Sequence, residues 1–106
     1  MNKVVYNACY GGFSLSKEAA KWLIEHGSDK INEDINSITF NMFNYEGERH
    51  DKLLIECVEN LGSELASGNC ANLQIAIING NKYRIDEYDG SETVIEPNDE
   101  KWITID

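Results

Sequence analysis

The stretch that decides the fold is Lys3-Val4-Val5-Tyr6-Asn7-Ala8-Cys9-Tyr10-Gly11-Gly12-Phe13-Ser14-Leu15-Ser16. Three consecutive apolar residues near its start predict a short strand that is buried on both faces. The two glycines that follow permit backbone conformations that other residues adopt only at a cost. Ser14 or Ser16 is then predicted to cap a helix that has Glu18 in its first turn. The stretch therefore predicts a strand, a glycine corner and a helix in succession.

Two helices are predicted from apolar residues at helical spacing. The first ends at Gly27, which suits the C′ position after a helix. Its predicted apolar face consists of Leu15, Ala19, Trp22, Leu23 and His26. The second begins after Asp51, a favourable N-cap residue, and stops or kinks at Gly62, with another helical turn expected in residues 63–68. Its predicted apolar face consists of Leu54, Ile55, Val58 and Leu61.

The remaining predicted elements are strands. Residues 38–43 alternate weakly, and residues 73–78 carry the strongest strand pattern of the chain. Asn79-Gly80 and Asp89-Gly90 are typical tight-hairpin turns. In the segment 38–43, the residues predicted to share one face are Ile38, Phe40 and Met42. The strands predicted after residue 78 lie at residues 83–88 and 92–95, with an edge strand at 101–105.

The order β-α-β-α-β-β-β predicts an α+β fold. The strands are expected to form one mixed sheet with an antiparallel C-terminal meander, and the two helices are expected to cover one face of that sheet. The length of 106 residues is close to the usual size of one domain, so residues 1–106 are predicted to form a single domain.

Composition restricts the cellular setting and the partners. No run approaches the length of apolar sequence that crosses a bilayer, and Asn7 interrupts the N-terminal apolar segment too early for a signal peptide. We therefore expect a cytoplasmic protein. Nineteen acidic and nine basic residues give a net charge of −10, which disfavours direct binding to nucleic acid or to anionic membranes. The charge serves solubility, or it docks the protein on a basic groove of a partner.

The glycine corner is the candidate binding site with the most features. Backbone N–H groups at a helix N-terminus, approached through glycines, favour anions, and nearby aromatic rings can stack on a base. The predicted ligand-binding residues are Asn7, Cys9, Tyr10, Gly11, Gly12, Phe13, Ser14 and Lys17. The corner matches neither the P-loop nor the three-glycine dinucleotide motif. The alternative is a tight turn whose aromatic residues fill the core.

Two features, the Cys9 thiol and the acidic residues near the Asp89-Gly90 turn, allow an enzymatic interpretation and a simpler structural one. Cys9 follows a strand, and a nucleophilic thiol there would need a base, for which His50 is the better placed of the two histidines. The acidic residues Glu87, Asp89 and Glu92 could act as an acid–base pair or bind a divalent cation. A packed thiol and a solvated hairpin tip explain the same patterns. Neither a metal site nor a cofactor is predicted, since three cysteines without a Cys-x-x-Cys pair do not form a zinc motif.

The opening stretch resembles a family of small uncharacterised proteins from tailed phages and prophages. Members typically read Asn-x-Cys-Tyr-Gly-Gly-Phe-x-Leu-Ser near the start, as residues 7–16 do here. Weaker similarity runs through residues 53–73 and 83–92, so the resemblance covers most of the chain. Lys52 stands where the family often has proline, and residues 101–106 differ from its usual basic tail. The resemblance implies a phage origin and a place in the host cytoplasm, and it carries no known activity.

Three hypotheses for function follow from these patterns. The first is a non-enzymatic phage accessory protein that evades host defence by binding a small anionic, nucleotide-like ligand at the glycine corner. The second is an acidic inhibitor that docks on a basic groove of a host defence or nucleic-acid enzyme. The third, a cysteine-dependent enzyme, ranks last. Self-association is compatible with all three.

Overall fold

The computed structural model describes residues 2–36, 41–97 and 105. In chain order the elements are β1 (Asn2–Asn7), α1 (Lys17–Glu25), α2 (Lys52–Leu61), α3 (Ser63–Ala66), β2 (Leu73–Ile78), β3 (Arg84–Tyr88) and β4 (Ser91–Ile95). The α+β class is confirmed. Residues 38–40 of one predicted strand, and all of the predicted edge strand except Ile105, lie outside the described residues.

The strands form two separate antiparallel pairs. β1 pairs with β2, from Asn2 opposite Ile78 to Asn7 opposite Leu73, and β3 pairs with β4. Within the described residues no ladder joins the two pairs, so the expectation of one mixed sheet is wrong. The predicted hairpin at Asn79-Gly80 is also wrong, because no ladder joins β2 to β3 in the described residues; the partner of β2 is the distant β1.

The pairing of β2 with β1 is explained by the apolar surface that it buries. Val4 and Val5 of β1 are both fully buried, and pairing with them gives β2 a partner on the covered side of the molecule. The residues after Ile78 are instead exposed and lead the chain away. The second predicted hairpin is confirmed: Asp89 and Gly90 both have positive φ, at 52° and 90°, as the two-residue turn that matches strand twist requires.

The helix boundaries follow local capping chemistry. Ser16 is the N-cap of α1, and its side chain accepts a hydrogen bond from the Ala19 N–H at 3.0 Å. Gly27 follows the helix with a φ of 91°, which confirms its predicted C′ role. His26, predicted on the apolar face, is exposed. Its ring instead stacks on Trp22 at 3.7 Å, because a ring one turn further along lies beyond the edge of the core.

The second helix begins and ends as predicted. Asp51 occupies the N-cap position of α2 without a capping hydrogen bond from its side chain. That carboxylate instead accepts hydrogen bonds from the Tyr45 hydroxyl and the Glu48 N–H. Gly62 has a φ of 83° and separates α2 from α3, so the predicted stop and further helical turn are both confirmed.

The core lies between the helices and the β1–β2 pair. Two residues outside the strands, Leu15 and Phe43, also reach this core. They exchange two backbone hydrogen bonds, at 2.8 and 2.9 Å. Phe43 is fully buried, whereas the preceding Met42 is 45% exposed. Among the described residues of the predicted strand 38–43, Phe43 reaches the interior, whereas Met42, which alternation places on the opposite face, does not. The core residues are Val5, Leu15, Ala19, Ala20, Leu23, Phe43, Leu54, Cys57, Val58, Ala66 and Leu73.

The described helices are too short and too polar for any of them to cross a lipid bilayer. The longest, α2, has ten residues, about half of what a membrane span needs.

The pair Phe43 and Met42 tests this description of the core. Phe43→Ala is expected to lower the free energy of unfolding by about 3–5 kcal/mol, because it removes a buried ring and leaves a cavity. Met42→Ala, one residue away but exposed, is expected to change it by less than about 1 kcal/mol. Urea denaturation followed by circular dichroism measures both. Equal losses for the two variants would contradict the placement of Phe43.

Candidate functional site

The Asn7 side chain connects three segments at the end of β1. Asn7 is fully buried. Its amide donates to the carbonyl oxygens of Cys9 at 2.7 Å and Gly90 at 2.8 Å. Its Oδ1 accepts from the backbone N–H of Asn72 at 2.8 Å. A buried amide with both donors and its acceptor used is a fixed structural link.

An ion pair lies beside this amide. The Arg49 guanidinium donates to both oxygens of Glu92, at 2.5 and 3.0 Å, and it lies 3.7 Å from the centre of the Phe13 ring. Glu92 also accepts the backbone N–H of Asn7 at 2.8 Å. Bidentate geometry and a nearly buried carboxylate make this a directional link. It joins the segment before α2 to the β3–β4 hairpin.

The predicted carboxylate cluster is divided by this arrangement. Glu92 is buried and bound to Arg49, whereas Glu87 and Asp89 are exposed. Within the described residues, no three His, Cys, Asp or Glu side chains are grouped closely enough to hold a metal ion.

The glycines of the opening motif allow close packing of the chain against itself. A Cβ at Gly11 would overlap the backbone carbonyl and the Cβ of Cys70, and one at Gly90 would overlap the Tyr10 carbonyl and the Gly12 nitrogen. Only a residue without a side chain fits where two backbones approach this closely. The space beside Gly11 is therefore occupied by the loop that carries Cys70, whereas a Cβ placed on Gly12 would have no neighbour within 4 Å.

The N-terminus of α1 does not open on the glycine pair. Residues 13–16 run between Gly12 and the helix, and the first N–H groups of α1 already have partners within the chain. The Lys17 N–H donates to the side chain of Asn41, and the Ala19 N–H donates to Ser16. Two N–H groups of the expected anion cradle are therefore already hydrogen-bonded within the chain, and anion binding at the glycine corner stays a prediction.

The eight predicted residues accordingly fall into two groups. Asn7, Cys9, Gly11 and Gly12 lie at the Asn7 link, with the Tyr10 side chain 69% exposed beside them. In the second group, the Phe13 ring packs against the Arg49 guanidinium, Ser14 is buried with its hydroxyl facing the Asn69 carbonyl, and Lys17 lies at the start of α1. Ligand binding by these residues stays a prediction.

The thiols differ sharply in their surroundings. Cys9 is half-buried and Cys70 is exposed, whereas Cys57 is fully buried in the core. Burial raises the pKa of the Cys57 thiol to about 12, so it stays protonated and unreactive at neutral pH. The Cys9 thiol donates to the carbonyl of Cys70 at 2.7 Å. His50, the proposed base for Cys9, is hydrogen-bonded to Tyr83 instead.

A cleft at the opposite end of the β1–β2 pair has the dimensions of a small-molecule site. Its volume is about 410 Å³, within the usual range for ligand pockets of roughly 300–1,000 Å³. It forms where the start of β1, the end of β2, the first turn of α2 and the β2–β3 loop meet. The lining residues are Asn2, Lys3, His50, Ile55, Ile78, Asn81 and Tyr83.

One wall of this cleft is a hydrogen-bonded ring pair. The Nδ1 atom of His50 lies 2.7 Å from the Tyr83 hydroxyl, and the rings meet edge to face at 79°. Burial raises the pKa of Tyr83 above its ordinary value, with a smaller contribution in the same direction from Glu48. A hydroxyl that donates to Nδ1 places the imidazole proton on Nε2, which leaves that N–H as a donor.

Lys3 supplies the positive charge of the cleft. Its ammonium group pairs with Glu59 of α2, and the two side chains are 44% and 41% exposed. An ammonium has three N–H donors, so a pair with one carboxylate oxygen leaves donors for a further acceptor.

The sequence patterns did not reveal this cleft. The sequence suggests His50 only as a base for Cys9, and it predicts Asn81 and Tyr83 in a hairpin that does not form. The residues come from four places in the chain, and no spacing signals their convergence. The β1–β2 pairing is the step that brings them together.

No family model, curated protein or solved structure matches the chain.

Asn7 and Asn60 provide a matched test of the buried link. Asn7→Asp is expected to lower the free energy of unfolding by at least about 3 kcal/mol, because a buried carboxylate cannot donate to two carbonyls and adds an unpaired charge beside Glu92. Asn60→Asp makes the same chemical change on the exposed face of α2, where the amide donates only to the Glu56 carbonyl. It is expected to cost less than about 1 kcal/mol. Similar losses in urea denaturation would contradict a structural role for Asn7.

Proposed function

We propose that this chain is a small, non-enzymatic phage-type accessory protein that binds a small anionic, nucleotide-like ligand. The observation that carries the proposal is the 410 Å³ cleft, which has apolar walls and several converging donors. That combination is typical of small-molecule sites. The proposed location is therefore this cleft rather than the glycine corner.

The lining chemistry selects the ligand class. Lys3 and the Asn81 amide are donors, and so is the Nε2–H of His50 in the tautomer whose Nδ1 accepts from Tyr83; these donors favour phosphate, carboxylate and carbonyl oxygens. Ile55 and Ile78 supply apolar surface. The Tyr83 ring offers a face on which a planar base can stack. A ligand with an anionic end and a flat, acceptor-rich body fits this set.

The biological setting of the proposal comes from the opening motif. A resemblance to small tailed-phage proteins suggests action inside an infected host cell. Sequestration of a nucleotide signal used in host defence needs a binding site and no catalytic group, which agrees with the separation of Cys9 from His50. This step is an analogy at the level of the family.

Titration with adenosine monophosphate, followed by amide NMR shifts, tests the proposal. Shifts are expected at residues of the cleft, and adenosine without phosphate is expected to bind more weakly. Lys3→Gln removes the cationic donor and is expected to weaken binding about tenfold, since hydrogen bonds to charged groups contribute about 1.5–3 kcal/mol.

Lys21→Gln is the matched control for this titration. It removes the same charge from an exposed lysine that also pairs with a glutamate, Glu25, on α1, and affinity is expected to stay unchanged. Shifts confined to residues 7–17 would place the ligand at the glycine corner and overturn the assignment to the cleft. No shift with adenosine monophosphate at millimolar concentration would contradict the proposal for mononucleotides.

An acidic inhibitor is the second candidate, and the surface of the β3–β4 hairpin favours it. Tyr88 is 78% exposed and Tyr10 is 69% exposed, and both line a shallow surface that includes Asp86 and Glu87. Exposed tyrosines beside carboxylates suit a basic partner, because the rings supply contact area and the carboxylates supply charge.

Salt-dependent capture from bacterial host lysate tests this second candidate. A host protein is expected to be retained at low ionic strength and released at high salt. Tyr88→Ala is expected to reduce its retention at least fivefold, whereas Met42→Ala, an exposed apolar residue elsewhere, is expected to leave it unchanged. If retention is the same at low and high salt and is unchanged in the Tyr88→Ala variant, this surface is excluded as the docking site.

A further inference from the structure

Two of the three thiols lie in loops that touch each other. Cys9 follows β1, and Cys70 lies between α3 and β2. The Cys9 Sγ atom is 2.7 Å from the carbonyl oxygen of Cys70. Gly11 packs so closely on Cys70 that no Cβ fits between them. The chain thus brings residues 61 positions apart in sequence into direct contact.

Cys70 has a backbone conformation that is unfavourable for cysteine. Its φ is 64°, in the left-handed region that glycine and asparagine adopt more readily than cysteine. Asn69 precedes it and Asn72 follows closely, so the loop contains residues better suited to that backbone. Cys70 is exposed, its backbone is held in this conformation, and its carbonyl oxygen contacts the Cys9 thiol; together these observations point to a role for its sulfur.

We propose that Cys9 and Cys70 form a thiol modification site that closes to an intramolecular disulfide when it reacts with a low-molecular-weight disulfide such as glutathione disulfide. The exposed Cys70 thiolate attacks one sulfur of glutathione disulfide, whose S–S bond breaks and releases one glutathione thiolate. The Cys9 thiolate then attacks the Cys70 sulfur of the mixed disulfide and displaces the second glutathione. The two cysteine thiols are oxidised, glutathione disulfide is reduced to two glutathione molecules, and the two thiol protons pass to them.

The third cysteine stays outside this reaction. Cys57 is fully buried, its thiol faces the Ala19 carbonyl in the core, and its raised pKa keeps it protonated. The thiolate is the attacking species in disulfide exchange, so Cys57 serves as an internal control. This inference does not depend on the proposed ligand.

The disulfide would fix the two loops that the Asn7 amide already joins. Cys9 supplies one of the carbonyls that Asn7 binds, and Asn72, two residues after Cys70, donates to Asn7. Closure therefore adds a covalent bond across an existing non-covalent link. It also constrains the unfolded chain over a long loop, which is the situation in which disulfides stabilise most.

The test is incubation of the full, folded chain with glutathione disulfide, followed by acid quench and mass spectrometry. We expect a monomer lighter by about 2 Da, the two thiol hydrogens, and a peptide map that joins Cys9 to Cys70. Cys57 is expected to remain the one thiol that is alkylated after unfolding. Cys9→Ser is expected to stop at one glutathione adduct on Cys70, and Cys57→Ser is expected to close as the native chain does.

Gly11 and Gly80 test the geometry of closure. Gly11→Ala would push Cys70 away from Cys9 and is expected to slow ring closure at least tenfold, while Gly80→Ala, with open space around its Cβ, is expected to close at the native rate. Stable glutathione adducts on both Cys9 and Cys70 of the native chain, a disulfide to Cys57, or only intermolecular disulfides would overturn the proposal. If Gly11→Ala does not fold, the serine variants still decide it.

Discussion

The buried amide of Asn7 is the constraint on which the rest of the structure depends. Two strand pairs without a common ladder have few ways to hold a fixed relative position. Here that position comes from side chains: Asn7 donates to the Gly90 carbonyl, and Glu92 accepts from the Asn7 backbone and from Arg49. Asn7 and Glu92 are buried, so a bond that either of them lost would leave an unsatisfied polar atom. The free-energy cost of losing these hydrogen bonds fixes the position of the β3–β4 hairpin more strictly than apolar contact alone would.

The glycines are a consequence of this link. The Asn7 amide reaches carbonyls on both sides only because the Cys9 and Gly90 loops approach it closely, and Gly11 and Gly90 are the positions where a side chain would prevent the approach. The Asn-x-Cys-Tyr-Gly-Gly stretch is thus explained by packing and hydrogen bonding. The same residue types suggest an anion site when only the sequence is considered, since glycines and a nearby helix start are common to both.

Local patterns predicted local structure well. The Ser16 cap, the helix start after Asp51, the helix stop at Gly62 and the turn at Asp89-Gly90 depend on neighbouring residues, and all four are present in the structure. Strand pairing depends on distant residues, and there the prediction failed. Asn79-Gly80 has the turn chemistry of a hairpin, but β2 gains more from the buried valines of β1 than from the exposed strand that follows it. The cleft could not be predicted for the same reason, because it exists only once β1 and β2 are paired.

The motif and the cleft lie at opposite ends of one ladder. Asn7 pairs with Leu73 at one end, and Asn2 pairs with Ile78 at the other, a separation of about 17 Å at the usual rise per residue. Because side chains alternate between the two faces of a strand, a slip of one residue in β2 would move Ile78 out of the cleft. The hydrogen bonds of Asn7 and Ala8 to the backbone of Asn72 oppose such a slip, since they fix the end of β1 against the start of β2. The opening motif therefore positions the cleft without contact with it, through the register of the two strands that connect them.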